Sequence, residues 1–366
     1  MAIISKKEIY HQENLYFQTF TSKNGIRYGL RFGSPDDAKE ICSLFKETYG
    51  YTYDNPIVYD INLLKRELSN KNNFWFVGEL IENREIAGIG LLKKNRYIVH
   101  ASKAVVRKKY QGLGVTSKIG AAGIITVSKM PQFNEVLKID SDTRGHVIGA
   151  HKLLQNAGAI PYGLIPAFIN FGDMRHFKPD DNLPFPPENE EAAFLYSIIF
   201  KKLWKIRENN IYLLDNEYFV FFHDFIKGFT KKMNEDILIL EKGKKGKGYE
   251  LYGVFREFFE GRVNLYGYIK EKSLNHLLKT YNNWRIVLWR IPTTQNGINS
   301  MLLALEKGFN IVGYDLGFNN MNWKLYDSVI LAYYPNGGSQ VLNVNCVDEN
   351  RPLYNKIREI FCFRLN

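Results

Sequence analysis

The residues of this chain best suited to binding an anion lie in a basic, glycine-punctuated turn at 105–119. The segment reads Val-Val-Arg-Lys-Lys-Tyr-Gln-Gly-Leu-Gly-Val-Thr-Ser-Lys-Ile, an apolar strand followed by a helix that begins near Val115. Backbone N–H groups in such a turn point to one place, and the helix adds partial positive charge there. Gly112 and Gly114 let a ligand approach without a Cβ in the way, and Arg107 and the two lysines after it add charge for phosphate oxygens. The pattern predicts a pyrophosphate site.

Two better-known phosphate-binding motifs are excluded by the same residues. A dinucleotide-binding G-x-G-x-x-G would need a third glycine where Ser117 stands, and no G-x-x-x-x-G-K-[ST] occurs anywhere in the chain.

The elements that must position this turn can be read from hydrophobic periodicity and from capping residues. Ser34 and Pro35 begin a helix with an N-cap, a proline in the first turn and an apolar face, and Gly50 follows that helix. The predicted strands are 26–32, 74–80, 85–93, 97–106, 135–139 and 162–165, and a further helix covers 147–156.

Residues 106–116 resemble the acyl-CoA loop of the GNAT N-acetyltransferases, whose pattern is Q/R-x-x-G-x-G/A, often preceded by V-x-P-x-Y/F. Gln111, Gly112 and Gly114 fit this pattern, whereas Thr116 stands where glycine or alanine is usual and Lys108 where proline is usual. The order of predicted elements over residues 25–175 is also similar to the GNAT fold.

The resemblance implies an α/β (α+β) fold, with a mixed, mostly antiparallel sheet flanked by helices. It also implies acetyl-CoA as a co-substrate, whose pantetheine arm would pair with the backbone of 104–106, and transfer of its acetyl group to a primary amine. The implied cofactor-binding residues are Val105, Val106, Arg107, Gln111, Gly112, Leu113, Gly114, Val115 and Thr116.

The general acid and base are less well marked, because Leu154 stands where many GNAT enzymes have a tyrosine acid. His100, on the strand that leads to the loop, is the first candidate, and the alternative is a half-buried histidine bonded to the backbone. His151 and Tyr162 are further candidates, the former also interpretable as a surface histidine, and Ser102 and Glu79 are weaker ones.

Tyr49, Tyr51 and Tyr53 form a tyrosine-rich loop after the first helix, similar to a loop in a subset of bacterial GNAT proteins. The resemblance implies that they line the acceptor site. The alternative is that these amphipathic rings pack onto the domain.

Part of the first half of the sequence is repeated in the second half. When the two segments are aligned at a constant offset, Leu153 aligns with Leu303, Gly158 with Gly308 and Gly163 with Gly313. The second half lacks a Q-x-x-G-x-G loop, and the lysine–glycine stretch 243–248 reads as an exposed flexible loop. We therefore expect two tandem GNAT-like domains, of which the second is degenerate.

The predicted organisation is a GNAT domain at 25–180, a proline-containing linker at 181–191 and the degenerate domain at 192–366. The predicted strands of the degenerate domain include 211–214, 218–222, 285–289 and 328–333. Residues 1–24 are set aside as an extension, because 13–18 resemble a plant-virus protease site that is used to remove tags.

Composition narrows the function further. Of 366 residues, 45% are hydrophobic, and no apolar run is long enough to span a membrane, so no membrane partner is expected. Three widely spaced cysteines argue against a disulfide framework or a zinc site and favour a reducing cytoplasm. The net charge of +11, from 49 basic and 38 acidic residues, is attributed to a lysine-rich surface rather than to nucleic-acid binding. A monomer or a homodimer is expected, with a small-molecule amine as partner and no metal.

Three functions remain open at this point. The leading one is acetyl transfer from acetyl-CoA to a small amine or amino-acid derivative. The second is a Fem-like aminoacyl transferase that uses charged tRNA, which the positive charge and the duplication favour. The third is a non-catalytic acyl-CoA sensor, which the missing acid and base favour.

Overall fold

The structure, a computed structural model, describes residues 15–175, 177, 183–231, 233, 236–240, 249–321, 324–336 and 344–362. These residues form two compact units, which do not divide at the predicted linker 181–191. The first unit contains residues 15–142, 155–158 and 173–175, and the second contains 143–154, 159–172 and the described residues after 176. The lysine–glycine stretch 243–248 lies outside the described residues.

The first unit is built on a sheet whose strand order is β1-β2-β3-β4-β5-β6. Its pairs are antiparallel except β5 with β6, which run parallel. The elements are β1 (Gln18–Thr21), β2 (Arg27–Phe32), α1 (Ala38–Tyr49), α2 (Ile61–Ser69), β3 (Asn73–Leu80), β4 (Ile86–Asn95), β5 (Ile98–Val106), α3 (Val115–Lys129) and β6 (Lys138–Arg144). The last two residues of β6 are counted with the second unit.

Helices cover both faces of this sheet. On one face, the apolar side of α1 (Ile41, Leu44 and Phe45) joins a core with strand residues such as Trp75 and Val77. On the other face α3 lies close to the strands, because glycines there leave room for it. A Cβ at Gly78 would stand 3.3 Å from Val115, and one at Gly90 would stand 2.9 Å from Ile119.

The segment set aside as an extension contributes a strand to this sheet. β1 pairs with β2, and the Tyr16 hydroxyl donates a 2.7 Å hydrogen bond to Glu79. The Tyr16 ring fills the space above Gly29, where a Cβ would meet it at 2.3 Å. Residues 16–21, set aside as an extension on sequence grounds, therefore belong to the packed first unit.

The second unit has a sheet of order β8-β7-β14-β15-β13-β12-β11 and a separate parallel pair, β9 with β10. Within the larger sheet only β12 and β13 run parallel. The elements are α4 (Ile148–Asn156), β7 (Ile160–Phe171), β8 (Asn189–Ile199), α5 (Leu203–Ile206), β9 (Asn210–Leu214), α6 (Glu217–Phe229), β10 (Asp236–Leu240), β11 (Leu251–Glu257), β12 (Arg262–Tyr268), α7 (Glu271–Thr280), β13 (Ile286–Pro292), α8 (Gln295–Glu306), β14 (Asn310–Met321), β15 (Lys324–Tyr333) and α9 (Arg351–Cys362).

The predicted strand at 218–222 is wrong, because these residues lie in helix α6. The Asn216 side chain caps that helix by accepting a hydrogen bond from the backbone N–H of Tyr218. Phe219, Phe222 and Ile226 are buried at helical spacing. A continuous aromatic run has no period of its own, so the cap and the later apolar positions decide the structure.

The sequence repeat described above is also visible in the backbone of the second unit. Strand β7 has register shifts against β8 at Pro161/Gly163 and at Ile165/Ile169, and β14 has them against β15 at Ile311/Gly313 and at Asp315/Asn319. Each of these positions is separated from its counterpart by the offset that relates Gly163 to Gly313. The two strands also pair with each other in antiparallel fashion, at Gly163 opposite Gly313.

The mixed, mostly antiparallel sheets flanked by helices confirm the predicted fold class. No helix of the described residues is long and apolar enough to cross a bilayer.

Candidate active site

The glycine turn connects the end of β5 to the first residue of α3. A short 3-10 turn over Lys108–Tyr110 brings the chain round, and Tyr110 is buried there. Gly112 and Gly114 then adopt left-handed φ angles of 76° and 87°, which other residues adopt only at a cost of about 1–2 kcal/mol. Glycine is therefore favoured at both positions for two reasons: the backbone has a left-handed φ there, and the absence of a Cβ leaves room for a ligand.

Backbone donors are exposed at this turn. Among the described residues, the N–H groups of Gly112, Leu113 and Gly114 have no hydrogen-bond acceptor, and a Cβ at either glycine would meet nothing within 4 Å. The 15-residue helix α3 begins directly behind them. Free amides at a helix N-terminus attract an anion, so the turn is suited to a pyrophosphate.

The remaining loop residues hold this geometry in place. The Gln111 side chain donates a 3.2 Å hydrogen bond back to the carbonyl of Val106, which ties the loop to the strand end. Val115 is buried under the glycines of β3 and β4, and Thr116 follows it in the first turn of α3.

The Arg107 guanidinium, predicted to bind a phosphate, is held by other groups of the protein. It is buried, donates a 2.8 Å hydrogen bond to the carbonyl of Ile86, and forms an ion pair with Glu47, with Glu40 3.6 Å away. Lys109 is likewise paired with Glu85 at 2.7 Å. The backbone amides and the exposed Lys108, and not these two side chains, are the groups of this loop that can meet a phosphate.

A bulge interrupts β5 shortly before the strand reaches the glycine turn. Val105 pairs with Ile89 but Ser102 pairs with Leu91, so the extra residue of this stretch lies on β5 rather than on β4. At this bulge Lys103 has a left-handed φ of 55°. The bulge bends the strand and re-aims its side chains.

Strand β5 is paired with its parallel neighbour β6 over only the first part of its length. Its pairing with β6 covers only Ile98–His100 opposite Lys138–Asp140. Residues 101–106 have no strand partner on that side among the described residues of the first unit. The backbone edge that contains Val105 and Val106 is thus open where the resemblance places the pantetheine arm.

His100 lies at the point where the two strands part. Its Nε2 is 2.9 Å from an Asp142 carboxylate oxygen, and its side chain remains 46% exposed. Partial removal of the ring from water opposes the charged form, but the Asp142 hydrogen bond and charge outweigh it and raise the pKa of His100 above its usual value. A partly exposed histidine held by a carboxylate can accept a proton from a bound group.

The three predicted tyrosines lie beside this face of the sheet. Tyr49 and Tyr53 pack on each other, with ring centroids 5.1 Å apart, and against the α1 core. Tyr51 is more exposed and lies 5.2 Å from the Tyr59 ring. The Tyr59 hydroxyl accepts a 2.9 Å hydrogen bond from the N–H of Tyr53, and burial raises the pKa of Tyr59 to about 12. Tyr49 and Tyr53 thus combine a packing role with a position near β5.

The other acid–base candidates are placed in structural roles. His151 is buried in the second unit, where one ring nitrogen is 3.0 Å from the Tyr196 hydroxyl and the other 3.0 Å from the Arg144 carbonyl. Burial lowers its pKa, so it stays neutral. Tyr162 is buried on β7. Glu79 is fully buried and is held by Arg31 and Tyr16. His151, predicted as a surface or cofactor-facing histidine, is instead a satisfied core histidine.

Asp142 was not among the sequence candidates. The alternation of Lys138, Asp140 and Asp142 along β6 places all three on the face that carries His100. That alternation was the available signal, but it became informative only once the register of β5 against β6 was known.

Comparisons with known proteins are limited to structural similarity. No family profile matches the sequence, and no curated protein matches it. Among solved structures, the chain is similar to the ribosomal-protein-S5-alanine acetyltransferase of Vibrio fischeri, with 15% identity, a TM-score of 0.39 and coverage of 50% of this chain and 97% of that one. It is also similar to GNAT-family acetyltransferases of Streptococcus pneumoniae (16% identity, TM-score 0.36, 47% and 99% coverage) and Bacillus anthracis (13%, 0.36, 50% and 98%).

Proposed function

We propose that this chain is an acyl-CoA-dependent N-acyltransferase of the GNAT type, which moves an acetyl group from acetyl-CoA to a primary amine of a small molecule. The observation that carries the proposal is the turn at Gly112–Gly114, where three backbone donors without an acceptor precede a helix. This turn follows strand β5, and within the described part of the first unit the backbone edge of β5 that faces away from β4 is open over residues 101–106. Together the two features offer one place for a pyrophosphate and an adjacent extended track for a pantetheine arm.

The side chains near the open edge supply the proton chemistry of the transfer. The neutral amine attacks the thioester carbon, a C–N bond forms, the C–S bond breaks, and the thiolate leaves; it takes up one proton from solvent water, equal in number to the one that the amine loses. His100 in its neutral form accepts the proton that the attacking amine loses, and Asp142 holds the ring and stabilises the charge it gains. This pair favours an enzyme over a non-catalytic sensor.

We propose that the second half is a degenerate GNAT-like domain. Its support is the repeat of register shifts at corresponding positions of β7 and β14, together with the order β12-α7-β13-α8-β14-β15. That order repeats the order β5-α3-β6-α4-β7-β8. The connection from β12 to α7 is only Ile269–Lys270 and contains no glycine loop, so this half offers no second acyl-CoA site of the same kind.

Release of the CoA thiol in the presence of an amine panel tests the proposed activity. We expect thiol release by the unmodified chain and a loss of about 10²–10⁴ in kcat in His100→Gln, the range typical for removal of a general base. His276→Gln, a change of an exposed histidine on α7, is the matched control and should leave the rate unchanged. Equal rates in all three proteins would show that His100 takes no part, and no release with any amine would overturn the proposed activity.

A further inference from the structure

Lys103 is a half-buried cation in the first unit, on the bulge of β5. Its ammonium group stands over the Tyr53 ring, 5.8 Å from the ring centroid. Tyr53 packs on the α1 side of the sheet, where Leu91 also lies. Ser102 pairs with Leu91, and His100 lies two residues further along the strand, so it faces the same side. The Lys103 ammonium and the His100 ring therefore share one face of the sheet.

Lys103 has no counter-ion of its own. Over the part of the chain that the structure describes, its ammonium forms neither a hydrogen bond nor an ion pair. Burial lowers its pKa below the usual value; the Asp54, Glu67 and Asp142 carboxylates oppose this from a distance, and Lys93 reinforces it. Removing a cation from water without a partner costs free energy, which an anion delivered by a ligand would offset.

Comparison with the neighbouring cations sharpens this contrast. Lys46 and Arg175 also stand over a tyrosine ring, each 5.4 Å from the centroid of Tyr51. Both are exposed to solvent, and Arg175 is paired with Asp173. Water or a protein carboxylate therefore already compensates the charges of Lys46 and Arg175. The charge of Lys103 has no such compensation and is available to a carboxylate of the bound substrate.

We propose that the acceptor amine carries a carboxylate, as an amino acid does, and that Lys103 binds this carboxylate while the amine faces His100. This inference rests on the proposed function, because it names the class of amine that the same site takes. Lys103 thereby determines specificity, with its ammonium over the Tyr53 ring and paired with a carboxylate only when the acceptor is bound.

Ligand binding, measured without catalysis, tests the inference. Saturation-transfer NMR with the proteinogenic amino acids, each beside its own carboxamide, reports binding to the full chain in the presence of CoA. We expect at least one amino acid to bind about 10-fold or more tightly than its carboxamide, the effect of one charge-assisted hydrogen bond. Lys103→Gln should abolish that preference, and Lys103→Arg should retain most of it.

Lys46→Gln is the matched control, because it removes the same charge from a cation that also covers a tyrosine, and it should leave the preference intact. The inference is overturned if no amino acid is preferred over its carboxamide, or if the preference survives in Lys103→Gln. Failure of the proposed function looks different: amino acids then bind in a Lys103-dependent manner, but no CoA thiol is released when acetyl-CoA is supplied.

Discussion

Replacing Gly112 and Gly114 together by aspartate should abolish stabilisation of the protein by acetyl-CoA. Acetyl-CoA at 100 times its dissociation constant stabilises a protein by about 2.7 kcal/mol, which is a rise of roughly 5–10 °C in Tm for a unit of this size. Two carboxylates placed on the turn would face the pyrophosphate. One pair of like charges 4 Å apart near a protein surface costs about 4 kcal/mol, which exceeds the binding gain.

The same substitutions need not unfold the chain. The φ angles of the two glycines, 76° and 87°, are left-handed, at a cost of about 1–2 kcal/mol per residue, which is lower for aspartate than for most residues. Neither new Cβ would meet an atom within 4 Å. The double variant should therefore melt several degrees lower but remain folded, and only its response to acetyl-CoA should be lost.

A matched pair of glycines separates strain from the loss of binding. Gly25 and Gly158 also have positive φ angles, 82° and 80°, and also have nothing within 4 Å of an added Cβ. Gly25→Asp with Gly158→Asp should lower Tm by a similar amount and keep the full acetyl-CoA shift. Thermal melts of the three proteins, with and without acetyl-CoA, are the assay. A full shift in the loop variant would refute the placement of the site.

Three further perturbations test other parts of the structure. Asp142→Asn should lower the pKa of His100 and so move the acidic limb of a kcat–pH profile to lower pH, since the neutral ring is the active form; an unmoved limb would rule out this base. The ion pair should also make His100 stabilise the fold fully below about pH 6.5, with the effect lost as pH rises through its raised pKa. Gly313→Ala should cost about 1–3 kcal/mol in urea unfolding, because its Cβ would meet the carbonyl oxygen of Tyr162 at 2.8 Å; an unchanged midpoint would contradict the pairing. Arg207→Met should cost about 3–5 kcal/mol, since it leaves buried Asp327 without its ion pair, and Arg207→Lys should cost less; equal losses in both would argue against a charge effect.

The sequence was sufficient for features that depend on neighbouring residues. The strands 73–80, 86–95 and 98–106 lie close to their predicted bounds, because alternation and turn residues are local signals. The glycine turn and the helix that begins at Val115 are likewise local signals, because they are neighbours in the chain. The aromatic run at 218–222 misled, because its helix is set by the Asn216 cap and by apolar positions beyond the run.

Features that depend on register between distant residues could not be predicted. His100 and Asp142 lie on different strands with helix α3 between them in sequence, and only the parallel pairing of β5 with β6 brings them within 2.9 Å. Arg107 looks available in the sequence, yet Glu40 and Glu47 on α1 occupy its guanidinium. The compact units do not divide at the predicted linker for a similar reason, since β7 hydrogen-bonds to β14, which belongs to the other half of the chain.

The pairing of Gly163 with Gly313 has a consequence for how this protein can change. A Cβ at Gly163 would meet the carbonyl oxygen of Val312 at 2.9 Å, and one at Gly313 would meet that of Tyr162 at 2.8 Å. The contact is self-complementary, like the centre of an isologous interface between two identical subunits, although both strands belong to one chain. A side chain gained at either glycine is opposed by the backbone of the other strand and not by its side chain. A change of side chain on the opposite strand does not relieve this clash, so each of the two positions favours glycine whatever residues the rest of either strand carries.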